Sequence, residues 1–207
     1  MPVRLNGSTS GYTELSAPAV AGNNSIALPT GNGSAYQILR NGATAGSLEY
    51  VDNLVLGTLQ NSTSGTSIDF TGIPSWAKRV TVMFNNVSLS STAHFLVQIG
   101  SSTTPTTSGY VNSASGVAYG TNQTTSANSS AGFVLVSGAN VNVLTGMLTI
   151  CSTGGNNYVS SHNATLAGGG ISGGGWLSLG GTLGMVRITS TSGTDTFDAG
   201  SINILYE

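Results

Sequence analysis

RVTVMFNN, residues 79–86, decides the fold class, because Val80, Val82 and Phe84 alternate with Thr81, Met83 and Asn85. An extended chain with that period turns one apolar face to a core and one mixed face away from it. The closing segment GSINILY, residues 200–206, repeats the pattern, with Ile202, Ile204 and Tyr206 on one side and Asn203 and Leu205 on the other. No stretch sustains the helical i, i+3, i+4, i+7 spacing, and the few candidates are cut by Gly or Pro.

Working outward, short apolar runs separated by Gly, Ser and Asn predict strands at Ser67–Phe70, Arg79–Asn86, His94–Gly100, Phe133–Ser137 and Val143–Ser152. Further strands are expected at Tyr158–Leu166, Trp176–Leu179, Met185–Ser190 and Gly200–Tyr206. Their spacing points to an all-β body, an antiparallel β-sandwich of jelly-roll-like type.

Composition supports this. Charged residues are only 6% of the chain, against about 25% in ordinary soluble domains. Ser, Thr, Asn and Gly stand in their place, residues that suit strands and turns better than helices. A net charge of −2 removes the basic footprint that a phosphate backbone requires, so nucleic acid is not an expected partner. A mean hydropathy of +0.16 and recurrent Val, Ile and Leu runs argue for a folded chain. No apolar run reaches the roughly 18 residues of a membrane helix, and MPVRLNGSTS lacks the apolar centre of a signal peptide. Neither membrane insertion nor Sec secretion is expected. Cys151 is the single cysteine, so no intrachain disulfide forms, and its apolar surroundings suggest a buried small hydrophobe.

The first fifty or so residues differ, with extended pieces such as Ser25–Leu28 set between Gly and Pro breaks. Such pieces are too short to own a core, and pairing with another copy of the chain would stabilise them. The polar, turn-prone GTLQNSTSG reads as a linker over residues 57–65. This divides the chain into an N-terminal segment that pairing between copies would stabilise, 1–56, a linker, 57–65, and a β-sandwich, 66–207.

The core of the N-terminal stretch, APAVAGNNSIALP from Ala17 to Pro29, continues as TGNGSAYQILRNGATAGSLEYV. It resembles a short module of bacteriophage tail-fibre and other virion appendage proteins. GIPSWAKRVTVMFNNVS, Gly72 to Ser88, and VRITSTSGTDTFDAGSINILYE, Val186 to Glu207, resemble the C-terminal domain of tail fibres. The resemblance implies a homotrimer, a virion component made in the host cytoplasm. Its N-terminus would join tail or baseplate proteins, and its distal β domain would meet host-surface glycan. Two alternatives remain: a structural capsid-decorating or baseplate component, and a polysaccharide depolymerase.

The chemistry expected is binding, without catalysis, cofactor or metal. Neither His94 nor His162 has a Cys, Asp or Glu at ligand spacing, although a three-fold axis could gather copies of either. Asp195 and Asp198 lie as close in sequence as a glycosidase pair could, but they sit in a turn, where Asp bonds backbone N–H groups. Asp52 and Asp69 show no partner in sequence. The glycine-rich LAGGGISGGGWLSLGGTLG, residues 166–184, lacks the Lys-Ser/Thr and helix of a phosphate loop. Two readings fit it: an exposed apical loop presenting Trp176, or a crowded turn or trimer contact burying Trp176. Sugars are gripped by an aromatic face with amides and hydroxyls around it. The candidate contacts are Tyr110, Tyr119, Tyr158 and Trp176, each of which also fits a core or interface role. Trp76, in the matched GIPSWAKR, is assigned to structure.

Overall fold

Strand formation follows the alternation read above. This computed structural model describes residues 3–6, 8–16, 18–20, 22–34, 37–51, 54–118, 124–137, 142–166 and 168–207. The chain divides into two units, Met1–Asn53 and Leu54–Glu207, and the described residues contain strands and no helix.

The first unit holds β1 (Val3–Asn6), β2 (Tyr12–Leu15), β3 (Ile38–Asn41) and β4 (Leu48–Val51). β1 and β2 form one antiparallel hairpin, and β3 and β4 a second. Each places an ion pair directly across its register: Arg4 with Glu14 at 2.6 Å, and Arg40 with Glu49 at 3.2 Å. Arg4 also lies over the Tyr12 ring, 4.5 Å from its centroid. The expected extended piece around Ser25–Leu28 contributes an isolated parallel bridge, Ala27 to Ser47. None of the described residues of this unit is buried.

The second unit begins with β5 (Val55–Leu56) and β6 (Gln60–Asn61), followed by β7 (Ser67–Thr71), β8 (Arg79–Leu89), β9 (Phe95–Gly100), β10 (Val111–Ala118) and β11 (Thr124–Ala127). It continues with β12 (Phe133–Leu135), β13 (Leu144–Gly154), β14 (Asn157–Leu166), β15 (Gly169–Ser178), β16 (Met185–Ser190) and β17 (Phe197–Tyr206). The larger sheet runs β11-β10-β15-β14-β13-β8-β17-β5, with β6 also on β17, and the smaller runs β12-β9-β16-β7. Every strand pairing is antiparallel. The result is an all-β sandwich, as the alternation and turn spacing predict.

The residues between 57 and 65 are not a tether. Gln60 and Asn61 pair with Ile202 and Ser201 of β17. Ser62 is fully buried, its hydroxyl donating to the Ala199 carbonyl at 2.8 Å. The polar composition that suggested a linker instead satisfies a sheet edge with side-chain hydrogen bonds, and the body starts at Leu54.

One hydrophobic interlayer joins the sheets. From the large sheet Val80, Val82, Phe84, Leu148, Ile150, Ile202 and Ile204 point inward, and from the small one come Ile68, Phe95, Val97, Ile99, Phe133, Leu135, Val186 and Ile188. The rings of Phe84 and Phe95 meet with centroids 6.4 Å apart. Burying each such side chain stabilises the fold by about 1.5–3 kcal/mol. The inward and outward faces of β8 and β17 follow the alternation in their sequences. Gly200 allows a bulge in β17: its φ is +91°, and an added Cβ would overlap the Asn86 carbonyl oxygen.

The glycine-rich stretch is the main correction. It is neither an apical loop nor a turn, because Gly169–Ser178 forms β15, paired along its length with β14 and β10. Its inward glycines make room for polar neighbours. An added Cβ at Gly173 would lie 2.5 Å from Cε1 of His162, and one at Gly175 would overlap the Asn112 Cβ. Asn112 uses that space to tie β10 to the opposite sheet, donating to the Gly132 carbonyl at 2.9 Å and accepting from the Val134 N–H at 3.3 Å. β10 itself escaped the sequence reading because VNSASGVA has few β-branched residues and resembles a loop.

Gly175→Ala is therefore expected to lose on the order of 1–3 kcal/mol of stability through overpacking. Gly170→Ala, on the same strand but with nothing within 4 Å of the added Cβ, should change stability by less than about 0.5 kcal/mol. Urea unfolding of both variants measures the difference, and equal losses would contradict the steric role assigned to Gly175.

Candidate functional site

Antiparallel pairing sets directly opposite side chains on the same face of a sheet, with Cβ atoms about 4.5–5.5 Å apart. On the outer face of the large sheet this builds a row across neighbouring strands. Trp176 of β15 stands opposite Val111 of β10 on one side and Val159 of β14 on the other. Cys151 of β13 continues the row beyond Val159, and Arg79 of β8 ends it, paired with Glu207. Val111, Trp176 and Val159 are 55%, 48% and 40% exposed, so the centre of the row is an apolar strip open to solvent.

The next row is small and polar: Ser113, Gly174, Ser161, Thr149 and Thr81. Beyond it lie Ser115, Ser172, Asn163 and Met147. At Gly174, beside the indole, a Cβ would sit 2.8 Å from the Ser160 carbonyl oxygen, so this position presents backbone alone. Between Arg79 and Arg187 the chain has no Asp, Glu, Lys or Arg. The strands around Trp176 therefore offer an aromatic plane, hydroxyls and amides, and the charges in its row are Arg79 and its partner Glu207 at the far end. Such a surface can stack on an apolar ring face and exchange neutral hydrogen bonds.

The other aromatic candidates are not part of it. Tyr110 is buried, with its hydroxyl accepting the Ile99 N–H at 2.7 Å and donating to the Thr106 carbonyl at 3.0 Å. Its ring meets Phe133 edge-on at 4.9 Å, and burial raises its phenol above the ordinary range. Tyr158 is also buried and accepts the Leu183 N–H at 2.8 Å. Both are core residues whose hydroxyls satisfy loop backbone, which the Ser-rich and Asn-rich flanking sequence disguised as exposure. Tyr119 lies outside the described residues, as does Asp52. Trp76 keeps its structural assignment, 5.7 Å from the Tyr206 ring.

Val111, Val159 and Gly174 were not legible as site residues. The outward alternation of Val111, Ser113, Ser115 and Val117 was the one local signal, and nothing local connects it to Trp176.

The carboxylates of the second unit have structural partners. Asp195 accepts from the Ala93 N–H at 3.1 Å and the Ser192 hydroxyl at 2.7 Å, the turn role expected of it. Asp198 accepts from the Ser88 hydroxyl. Asp69, without a visible partner in sequence, is bound by Arg187 through two hydrogen bonds of 2.7 and 2.6 Å between β7 and β16. Those bonds raise the guanidinium pKa above its ordinary value. Cys151 is half-buried on the outer face, more accessible than its apolar sequence suggested.

Among the described residues no group of three His, Cys, Asp or Glu could hold a metal ion. His94 accepts the Ser137 N–H on Nδ1 at 3.1 Å, and burial lowers its pKa. His162 points inward between the sheets, only 6% exposed, with no hydrogen-bond partner for Nε2. An axis between subunits cannot gather His162 side chains held in this interior.

No protein-family model matches the chain, and no match was found among curated proteins or solved structures.

Burial pushes the His162 imidazole down from 6.5 to about 4. A folded-state pKa below the unfolded one means its contribution is complete above about pH 6.5 and is lost as pH falls toward 4. The shift corresponds to about 3 kcal/mol lost across that window. His162→Gln should flatten this part of the stability profile, measured by urea unfolding from pH 7 to pH 4, whatever its effect at neutral pH.

Proposed function

We propose that this chain is a non-enzymatic virion adhesin of tail-fibre type. It assembles as a homotrimer through its N-terminal unit, which attaches to tail or baseplate proteins, and it binds uncharged host-surface glycan on the outer face of its sandwich. The observation that carries the reading is the half-exposed Trp176 between Val111 and Val159 on three neighbouring strands that carry no charged residue. Of the candidate aromatics described, it is the one free to stack against a sugar, with hydroxyls in the adjoining row to meet the sugar's own.

The N-terminal unit supports the assembly part. Its first hairpin gathers Val3, Leu5 and Leu15 on one face while Arg4, Glu14 and Tyr12 occupy the other. Those three apolar residues are 59%, 59% and 64% exposed. A short hairpin with an uncovered apolar face is marginal in water alone, and association with other copies would cover it. The resemblance of APAVAGNNSIALP to virion appendage modules, and of residues 72–88 and 186–207 to fibre domains, supplies the virion setting.

Trp176→Ala should weaken binding to host cells or their purified surface glycan about tenfold, the equivalent of about 1.4 kcal/mol, without lowering thermal stability. Unchanged binding would remove Trp176 from the site. Light scattering should find the full chain trimeric, and residues 54–207 alone, which contain the whole hydrophobic core, cooperatively folded. A monomeric full chain that fails to bind host cells would overturn the reading.

A further inference from the structure

The apolar strip extends to both sides of the indole, and this sets a condition on the ligand. Val111 and Val159 stand on the strands either side of Trp176, so the strip spans two strand spacings, about 10 Å in all. A pyranose stacked on the indole covers its middle. A fully hydroxylated ring would then place hydroxyl groups against valine methyls, where they lose water and gain no partner. A ring bearing a methyl group would bury that group on valine instead. On the strand axis the surroundings reverse, since Gly174 presents backbone alone and is flanked by Ser113 and Ser161, whose hydroxyls suit the ring's hydroxyl-bearing edge. β10, β14 and β15 carry no Asp, Glu, Lys or Arg, so the stacked ring meets no ionic partner on these strands, and the ion-paired Arg79 lies two strands beyond Val159.

Resting on the glycan-binding reading above, we propose that the Trp176 face is selective for neutral pyranoses that carry a methyl group, either the C6 methyl of a 6-deoxyhexose or the acetyl methyl of an N-acetylhexosamine. Trp176 supplies the stacking plane, Val111 or Val159 receives the methyl, and the Ser113, Gly174 and Ser161 row takes the hydroxyls.

The test is an NMR titration of the full-length protein with matched sugars that differ in this feature: L-rhamnose against L-mannose, and N-acetylglucosamine against glucose. The rhamnose pair reports the deoxy methyl and the glucosamine pair the acetyl methyl. In at least one pair the methyl-bearing sugar should bind about three- to tenfold more tightly, the scale expected from burying one such group. Saturation transfer from the protein should be strongest at its methyl. The double variant Val111→Thr with Val159→Thr exchanges a methyl for a hydroxyl on each side in a residue type equally suited to strands. It should reduce the preference within each pair to near unity.

Equal affinities within both pairs would overturn the selectivity but leave the glycan site standing. No saturation transfer from any of these sugars would overturn both. Loss of trimer in Trp176→Ala, seen by light scattering, would also overturn the proposal, because the strip would then be covered by a second copy of the chain.

Discussion

Gly173 and Gly175 have no space for a Cβ, because the His162 ring lies over one and Asn112 over the other. This steric constraint lets β15 run as a strand between β14 and β10, and it lets Asn112 reach across to the backbone of the smaller sheet. Fixing β15 also determines what stands on its opposite side. Trp176, Gly174 and Ser172 face outward, and pairing brings Val111 and Val159 beside the indole. The glycines thus act at a distance from solvent to arrange an exposed surface.

The two units solve the problem of low charge differently. The sandwich buries a continuous apolar interlayer and leaves hydroxyls and amides to hold water at its surface, so solubility does not require Lys or Glu. The N-terminal unit has hairpins with internally paired charges but no buried residue among those described. Its cross-strand ion pairs are exposed and contribute little, on the order of 0–1 kcal/mol each. The proposed assembly would cover the apolar face of its first hairpin.

Polar side chains in the body act mainly as backbone partners. Ser62, Asn112, Tyr110, Tyr158 and Asp195 all satisfy main-chain groups at edges or loops. Their roles explain why so polar a sequence supports a sandwich. Among the described residues His162 and Ser160 are the exceptions, buried with unpartnered polar atoms, and a neutral imidazole is the form of His162 that this interior tolerates.

What the sequence determined by itself was local in origin. Period-two alternation at Val80, Val82 and Phe84 and at Ile202 and Ile204 needs no knowledge of partners, and it sufficed for the all-β class and for most strands of the core. Tertiary structure alone decided that residues 57–65 complete a sheet, that the glycine stretch is a strand, and that Tyr110 and Tyr158 are buried within the chain while Trp176 is half-exposed on it. Those outcomes depend on strand partners distant in the chain, so a glycine or a tyrosine carries the same local signal whether it lies in a loop or beneath a neighbouring side chain.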